Sequence, residues 1–401
     1  MSLKGFTIQF NKPGAIYVPG ENITGTVIID LSEKKNCRDF RIAFKGEAYV
    51  HWTESHAQNS TGNIVFKTKS EKERFFDFQQ PLIHKPPGTE GLELPAGRSE
   101  YHFTYRLPTN IPCSFEHDIG YIRYTVRAVV NIPWGFDWWA KSAFTIVTPF
   151  DLNSVADQCI PVDDEDIKKY CCCFFGEDSI YARVKIPCTG YVPGQTIDVD
   201  VSFVVKSSRV HVTGVSAKLE EEITFYVRNE KRMDKITLQK VQTSEPLETR
   251  EQIRLQVYVP PVPPSYLLFC RIIHVEYHII VNIHVNGLYK KITRQYPILI
   301  GTIPLHSSMW PQQSNNEGIQ SSTLVDSNGD KVPLCRSNLP SPKCSAPPIE
   351  WPMPSPSYKE CSQKTNDIKD TDDSGNVFGA DQPFAPRYPV FNFGVSSAPK
   401  Q

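Results

Sequence analysis

The sequence predicts an all-β protein: two antiparallel β-sandwich domains followed by a disordered C-terminal tail. Three observations carry this. The pattern Tyr-Val-Pro-Gly-x-x-Ile occurs twice, at Tyr17–Ile23 and at Tyr191–Ile197, with an offset of roughly 170 residues, an ordinary domain size. Period-two alternation of apolar residues recurs between turn signals, and no convincing long helical period appears. Beyond Leu305 the composition turns abruptly to Ser, Asn, Pro, Gln and acidic residues, with too little apolar material to offset the entropy of ordering.

Each copy of the repeat opens a β-domain, because Pro presets the first φ angle of a turn and Gly admits a positive one. After the first copy Ile23, Gly25, Val27 and Ile29 fall on one face of a strand, opposite Thr24, Thr26 and Asp30, with Ile28 breaking the pattern. After the second, Ile197, Val199, Val201 and Phe203 oppose Asp198, Asp200 and Ser202. In the first domain a strand is expected over Arg38–Gly46 with Phe40, Ile42 and Phe44 on one face. Another alternates Tyr101, Phe103 and Tyr105 between the turns Leu94-Pro95-Ala96-Gly97 and Leu107-Pro108. A third runs from Tyr121 to Val130, with Ile122, Tyr124, Val126, Ala128 and Val130 opposite Arg123, Thr125 and Arg127. The longest strand of the second domain is expected over Val275–Val285. The expected organisation is a first sandwich over 1–152, a connection over 153–177, a second sandwich over 178–305 and an unfolded tail over 306–401.

Composition limits the function classes. The 401 residues carry a net charge of −1 with 40% hydrophobic residues and 33 prolines, so no global field favours nucleic acid or an anionic membrane. The first ten residues alternate as a strand and lack the apolar core of a signal peptide, and no run of about 18 apolar residues could span a bilayer. A cytoplasmic protein follows, in which the 11 cysteines are expected as reduced thiols. The sequons at Asn22 and Asn59 would then be unused.

Candidate chemical sites are few. His274, Glu276, His278 and His284 share one strand face and could in principle ligate zinc. Same-face neighbours on a strand lie about 7 Å apart, which favours a solvated face instead. Cys171, Cys172 and Cys173 beside Phe174 and Phe175 invite metal binding or palmitoylation, yet adjacent strand residues point to opposite faces, so a buried interdomain strand is the preferred reading. Lys67–Arg74 mixes both charges and reads as a solvated loop, and Asp163–Asp166 as a charged linker. Phosphate loops, nucleophile elbows and Cys-x-x-Cys knuckles are missing. No catalytic residue, cofactor or metal is therefore assigned, and a metal-dependent enzyme on the His274 face is kept only as an alternative.

The assembled motifs resemble the α-arrestins, the arrestin domain-containing proteins. The resemblance rests on Tyr17–Glu21 with Ile23 and Gly25, on Leu94–Gly97, Gly120–Tyr124 and Tyr191–Gln195, on Pro260–Pro264, and on the closing run Pro297–Leu305. It implies two arrestin-type sandwiches without catalytic activity, acting as cytosolic adaptors between membrane-protein cargo and HECT-type ubiquitin ligases in endocytosis and sorting, recruited to plasma membrane and endosomes.

Tails of such proteins carry Pro-Pro-x-Tyr motifs for WW domains, which grip a preformed polyproline helix. The candidates here depart from that pattern. In Ser355-Pro356-Ser357-Tyr358 and Ala385-Pro386-Arg387-Tyr388, Ser355 and Ala385 replace the first Pro, a loss of about 1–2 kcal/mol per site. Two copies about 30 residues apart could recover part of it on tandem WW domains. The intact match, Pro263-Pro264-Ser265-Tyr266, is expected in a sheet-connecting turn. An arrestin-fold scaffold that recruits no ligase is the alternative within the fold.

Overall fold

The two repeat copies build the same turn. Gly20 and Gly194 take φ values of +82° and +99°, the left-handed region that glycine enters without penalty. In the first turn the Val18 N–H donates to Glu21 Oε2 at 3.0 Å, and in the second the Val192 N–H donates to Gln195 Oε1 at 2.9 Å. Each turn is preceded by a two-residue strand, Ile16–Tyr17 or Gly190–Tyr191, that pairs in parallel with the last long strand of its own domain. The duplication written in seven residues is thus a duplication of backbone geometry.

The computed structural model describes residues 2–57, 64–85, 88–89, 91–171, 177–243, 247–287, 289–306, 354–373, 375 and 377–393. In the first sandwich Leu3–Phe10, Asn22–Leu31 and Gly97–Arg106 form a three-stranded sheet. It packs on a larger sheet ordered Ile16–Tyr17, Trp138–Ile146, Gly120–Asn131, Asp39–Ala57 and Ile64–Pro81. Phe6 meets Phe40 in a tilted pair and Phe103 meets Phe44 edge-on across the gap, with ring centroids 6.1 and 5.7 Å apart, the latter the packing that aromatic quadrupoles favour. The second sandwich repeats the plan. Val162–Cys171, Glu177–Ile186, Thr196–Lys206 and Arg250–Tyr258 form one sheet, and Gly190–Tyr191, Ile292–Ile300, Ile273–Val285, Val212–Val227 and Glu230–Gln242 the other. The predicted inward residues Ile122, Tyr124, Val126, Ala128 and Val130, and Ile197, Val199, Val201 and Phe203, are all buried.

The structure corrects four expectations. The charged stretch Lys67–Arg74 lies inside the strand Ile64–Pro81, because its side chains find opposite charges across the ladder, as Lys69 does at Glu54 (2.6 Å). Asp163–Asp166 likewise belongs to a strand of the second sandwich, where Arg183 holds Asp163 at 2.6 Å and Tyr296 donates to Asp164 at 2.7 Å. The connection is therefore shorter than 153–177, a 3-10 turn over Leu152–Gln158 leading into that strand. Third, the longest strand of the second sandwich is Val212–Val227, with 16 residues; its Glu220-Glu221-Glu222 run and a register shift after Leu219 conceal its alternation.

The fourth correction concerns the tail. Residues 354–373 and 377–393 form a strap laid on both sandwiches. Its ordering comes chiefly from contacts with the sandwiches, beside one small cluster of its own in which Ile368, Val377 and Ala380 pack on Trp139 and Ala143.

Candidate functional site

The outward face of the larger N-terminal sheet is where the strap and the first sandwich meet. Alternation that sends Phe44, Tyr124 and Val126 into the core turns Lys45, Arg123 and Arg127 outward, and the neighbouring strand adds Lys141. These cations face the turn Asp370-Thr371-Asp372-Asp373 of the strap. Lys141 Nζ lies 2.8 Å from Asp370 Oδ2 and 2.7 Å from Asp373 Oδ2. Lys45 Nζ lies 3.0 Å from Asp370 Oδ2, 2.8 Å from Asp372 Oδ2 and 2.9 Å from Glu47 Oε1. Arg74 Nη2 reaches Asp372 at 3.3 Å and Lys72 Nζ the Thr371 hydroxyl at 3.2 Å. The turn is closed from within, the Asp372 N–H donating to Asp370 Oδ1 at 2.9 Å and the Asp370 N–H to Asp373 Oδ2 at 3.0 Å.

Electrostatics follow from this geometry. Burial pushes the Asp370 carboxyl upward, but Lys141 and Lys45 outweigh it and hold its pKa well below the usual carboxylate range. Asp372 is lowered as well, chiefly by its hydrogen bond from Lys45. Depressed carboxylates stabilise docking above their free pKa near 4 and lose that contribution as pH falls below it. The strap's charge contacts are therefore intact at neutral pH.

Three further anchors hold the strap. Val377–Phe378 pairs in parallel with Trp139–Ala140. Gln363 Nε2 donates to Glu221 Oε2 at 2.7 Å on the fully buried Glu221. The Phe391 N–H donates to Pro193 O at 2.9 Å, and its ring joins Phe150, Leu152 and Val192 in an apolar cluster. At Gly194 an added Cβ would stand 2.1 Å from Phe391 O. Gly194→Val is accordingly expected to free the end of the strap and raise its rate of cleavage in limited proteolysis at least about tenfold, from strain at positive φ plus the clash; an unchanged rate would count against this anchor.

The two degenerate WW-ligand candidates pair with each other. Ser357–Glu360 and Arg387–Val390 form a two-stranded ribbon in which Tyr358 opposes Pro389 and Tyr388 opposes Lys359. Tyr388 is 1% exposed and its hydroxyl donates to Ser114 O at 2.8 Å, whereas Tyr358 is 44% exposed. Pro356 precedes the first strand of the ribbon and Pro386 the second, where its carbonyl accepts the Cys361 N–H at 3.0 Å. Ser355 and Ala385 lie at the same two entries. The expected free tail ligand at Tyr388 is thus buried in the sandwich core, because its ring finds apolar packing there that an unfolded chain lacks. Pro263, Pro264 and Ser265 are buried in the turn that was expected, with Pro263 O 2.8 Å from the Tyr277 hydroxyl.

The remaining candidates are placed as follows. His274 Nε2 lies 3.5 Å from Glu276 Oε1, and the His284 ring nitrogen bonds Ser216 at 3.1 Å. Among the described residues no three His, Cys, Asp or Glu side chains gather as a metal cluster. Cys171 ends a strand, and Cys172 and Cys173 lie outside the described residues. Reasoning on sequence missed Lys45, Lys141 and Glu221. For Lys45 the available signal was the alternation of Phe40, Ile42 and Phe44, which places it on the opposite face; for Glu221 the Glu220–Glu222 run hides that signal.

Comparison with known proteins follows the same division. Residues 6–153 match the family description "Arrestin (or S-antigen), N-terminal domain" and residues 177–305 match "Arrestin (or S-antigen), C-terminal domain". The chain is 28% identical to Arrestin domain-containing protein 17 of Caenorhabditis elegans, over 98% of this chain and 99% of the relative. It is 28% identical to human Arrestin domain-containing protein 4 over 80% of this chain and 75% of that protein. Human Thioredoxin-interacting protein is 26% identical over 75% of each chain.

Proposed function

Because the chain belongs to the α-arrestin family, we propose that it is a trafficking adaptor whose N-terminal sheet receives acidic cytoplasmic segments of membrane-protein cargo, and whose strap, once displaced, offers Tyr358 and Tyr388 to a WW-domain HECT-type ubiquitin ligase. The observation that carries this reading is the seating of Asp370, Asp372 and Asp373 on Lys45 and Lys141. A face that holds the chain's own acidic turn has the charge and spacing to hold another. Release of the strap would also lift Tyr388 out of its seat in the sandwich core, where its hydroxyl donates to Ser114 O. The adaptor acts in the cytoplasm and moves to plasma membrane and endosomes with its cargo.

The test is titration calorimetry of the full chain with a tandem WW-domain protein. Wild type is expected to bind weakly and a variant carrying Asp370→Asn, Asp372→Asn and Asp373→Asn at least about tenfold more tightly, through removal of charge-assisted contacts. Adding Tyr358→Ala and Tyr388→Ala should abolish the gain. No binding by any variant would overturn ligase recruitment. Burial of Tyr388 and loss of the first Pro in both motifs favour that second reading, a cargo scaffold without a ligase.

A further inference from the structure

We propose that the hairpin tip over residues 132–137 of the first sandwich is a membrane-inserting element that seats this domain on a bilayer surface. Trp134 is 98% and Phe136 96% exposed, so neither ring is covered by the described residues. Exposed aromatic pairs of this kind mark interaction sites. The loop is built to hold them outward. Asp137 Oδ1 accepts the Ile132 N–H at 3.1 Å, Asp137 Oδ2 lies 3.3 Å from Asn131 Nδ2, and Ile132 is buried beneath. Trp134 sits at φ +59°, a conformation that is uncommon for a bulky residue and is retained where function needs it.

The occupant follows from shape and charge. Two protruding rings on a convex turn would need a matching pocket for each in a protein partner, whereas the interfacial zone of a bilayer accepts Trp and Phe without one. Around the tip the acids are engaged: Asp39 with Arg41 at 2.5 Å, Glu93 with Lys34 at 3.1 Å, and Asp137 within the loop. Lys35 lies over the Trp138 ring at 5.9 Å, Arg38 is exposed beside Asn131, to whose carbonyl its N–H donates at 2.8 Å, and Lys85 is near enough to act on Cys37. Against these three cations stands the exposed acid Glu33. The collar therefore tolerates lipid phosphates and mildly favours anionic headgroups. The inference does not rest on ligase recruitment, since neither Tyr motif enters its test.

The test is co-sedimentation of the full chain with vesicles of phosphatidylcholine alone and of phosphatidylcholine with phosphatidylserine, comparing wild type with Trp134→Ser/Phe136→Ser. Both side chains are exposed, so the variant should melt as wild type does. Wild type is expected to bind both vesicles, the anionic one more tightly, and the variant to lose at least about tenfold in affinity with the two rings. Quenching of wild-type tryptophan fluorescence by bromine-labelled acyl chains should disappear in Trp134→Phe. Equal binding by the double variant, quenching retained in Trp134→Phe, or no vesicle binding by wild type would each overturn the proposal.

Discussion

Arg123→Ala is expected to remove about 3–5 kcal/mol of stability, the cost of breaking a buried ion pair from one side. Arg123 Nε and Nη2 donate to Glu116 Oε1 and Oε2 at 2.8 and 2.7 Å, with side chains only 7% and 2% exposed. The guanidinium also lies 4.0 Å from the Tyr121 ring centre, and its Nη1 reaches Lys369 O of the strap at 3.4 Å. Burial raises the Glu116 pKa even with Arg123 beside it, so alanine would strand a carboxylate that no other cation among the described residues neutralises. Replacing both partners, as Arg123→Met with Glu116→Leu, should restore most of the loss, because a buried pair is often matched by apolar residues of similar volume. Denaturant unfolding of the two single variants and the double gives the coupling directly. A cost below about 1 kcal/mol for Arg123→Ala would mean that the pair is solvated.

The second large effect is on pH dependence. Burial pushes Glu221 up to about 7, opposed by hydrogen bonds from Gln363 and Tyr277. Its Oε1 lies 3.1 Å from the Tyr277 hydroxyl, and Cys361, Cys113, Tyr388 and Glu116 are other titratable groups around this junction. Cys361 is pushed up to about 12 by burial and Tyr388 well above its usual value, so neither titrates between pH 4 and 8. A folded-state pKa raised above the unfolded one gives stability that is full below the unfolded value near 4.5 and is lost as pH rises through about 7. The loss across that window should be about 3 kcal/mol. Glu221→Gln keeps the shape without the titration, so its melting temperature should vary much less than wild type's between pH 5 and 8 and exceed it at pH 8. Parallel pH profiles for the two proteins would place the carboxylate in contact with water. This folding contribution of Glu221 has the opposite sign to that of Asp370 and Asp372, which is lost only below about pH 4.

What could be read in advance was local. Period-two alternation identified Tyr121–Val130 and Ile197–Phe203 because each residue's burial is set by its parity along one strand. The Pro-Gly turns were legible because Gly20 and Gly194 need a positive φ that few residues accept. Alternation failed where both faces carry charge, at Lys67–Arg74 and Glu220–Glu222, since cross-strand partners that neutralise those charges are invisible in one strand alone. The candidate site was legible only in part. Arg123 and Arg127 could be assigned to the wet face, but nothing in sequence said what would cover it.

By itself, then, the amino-acid order determined the all-β class, the duplicated sandwich and the residues that fill its cores, all consequences of short-range sterics and periodic burial. The tertiary structure alone decided that residues 354–373 and 377–393 of an acidic, proline-rich tail are ordered, that Asp370 finds Lys45 at a separation of 325 residues and Lys141 at 229, and that Tyr388 is buried. A segment with few apolar residues can still be ordered by a surface that supplies the missing partners, and complementarity of that kind exists only after both sandwiches have formed.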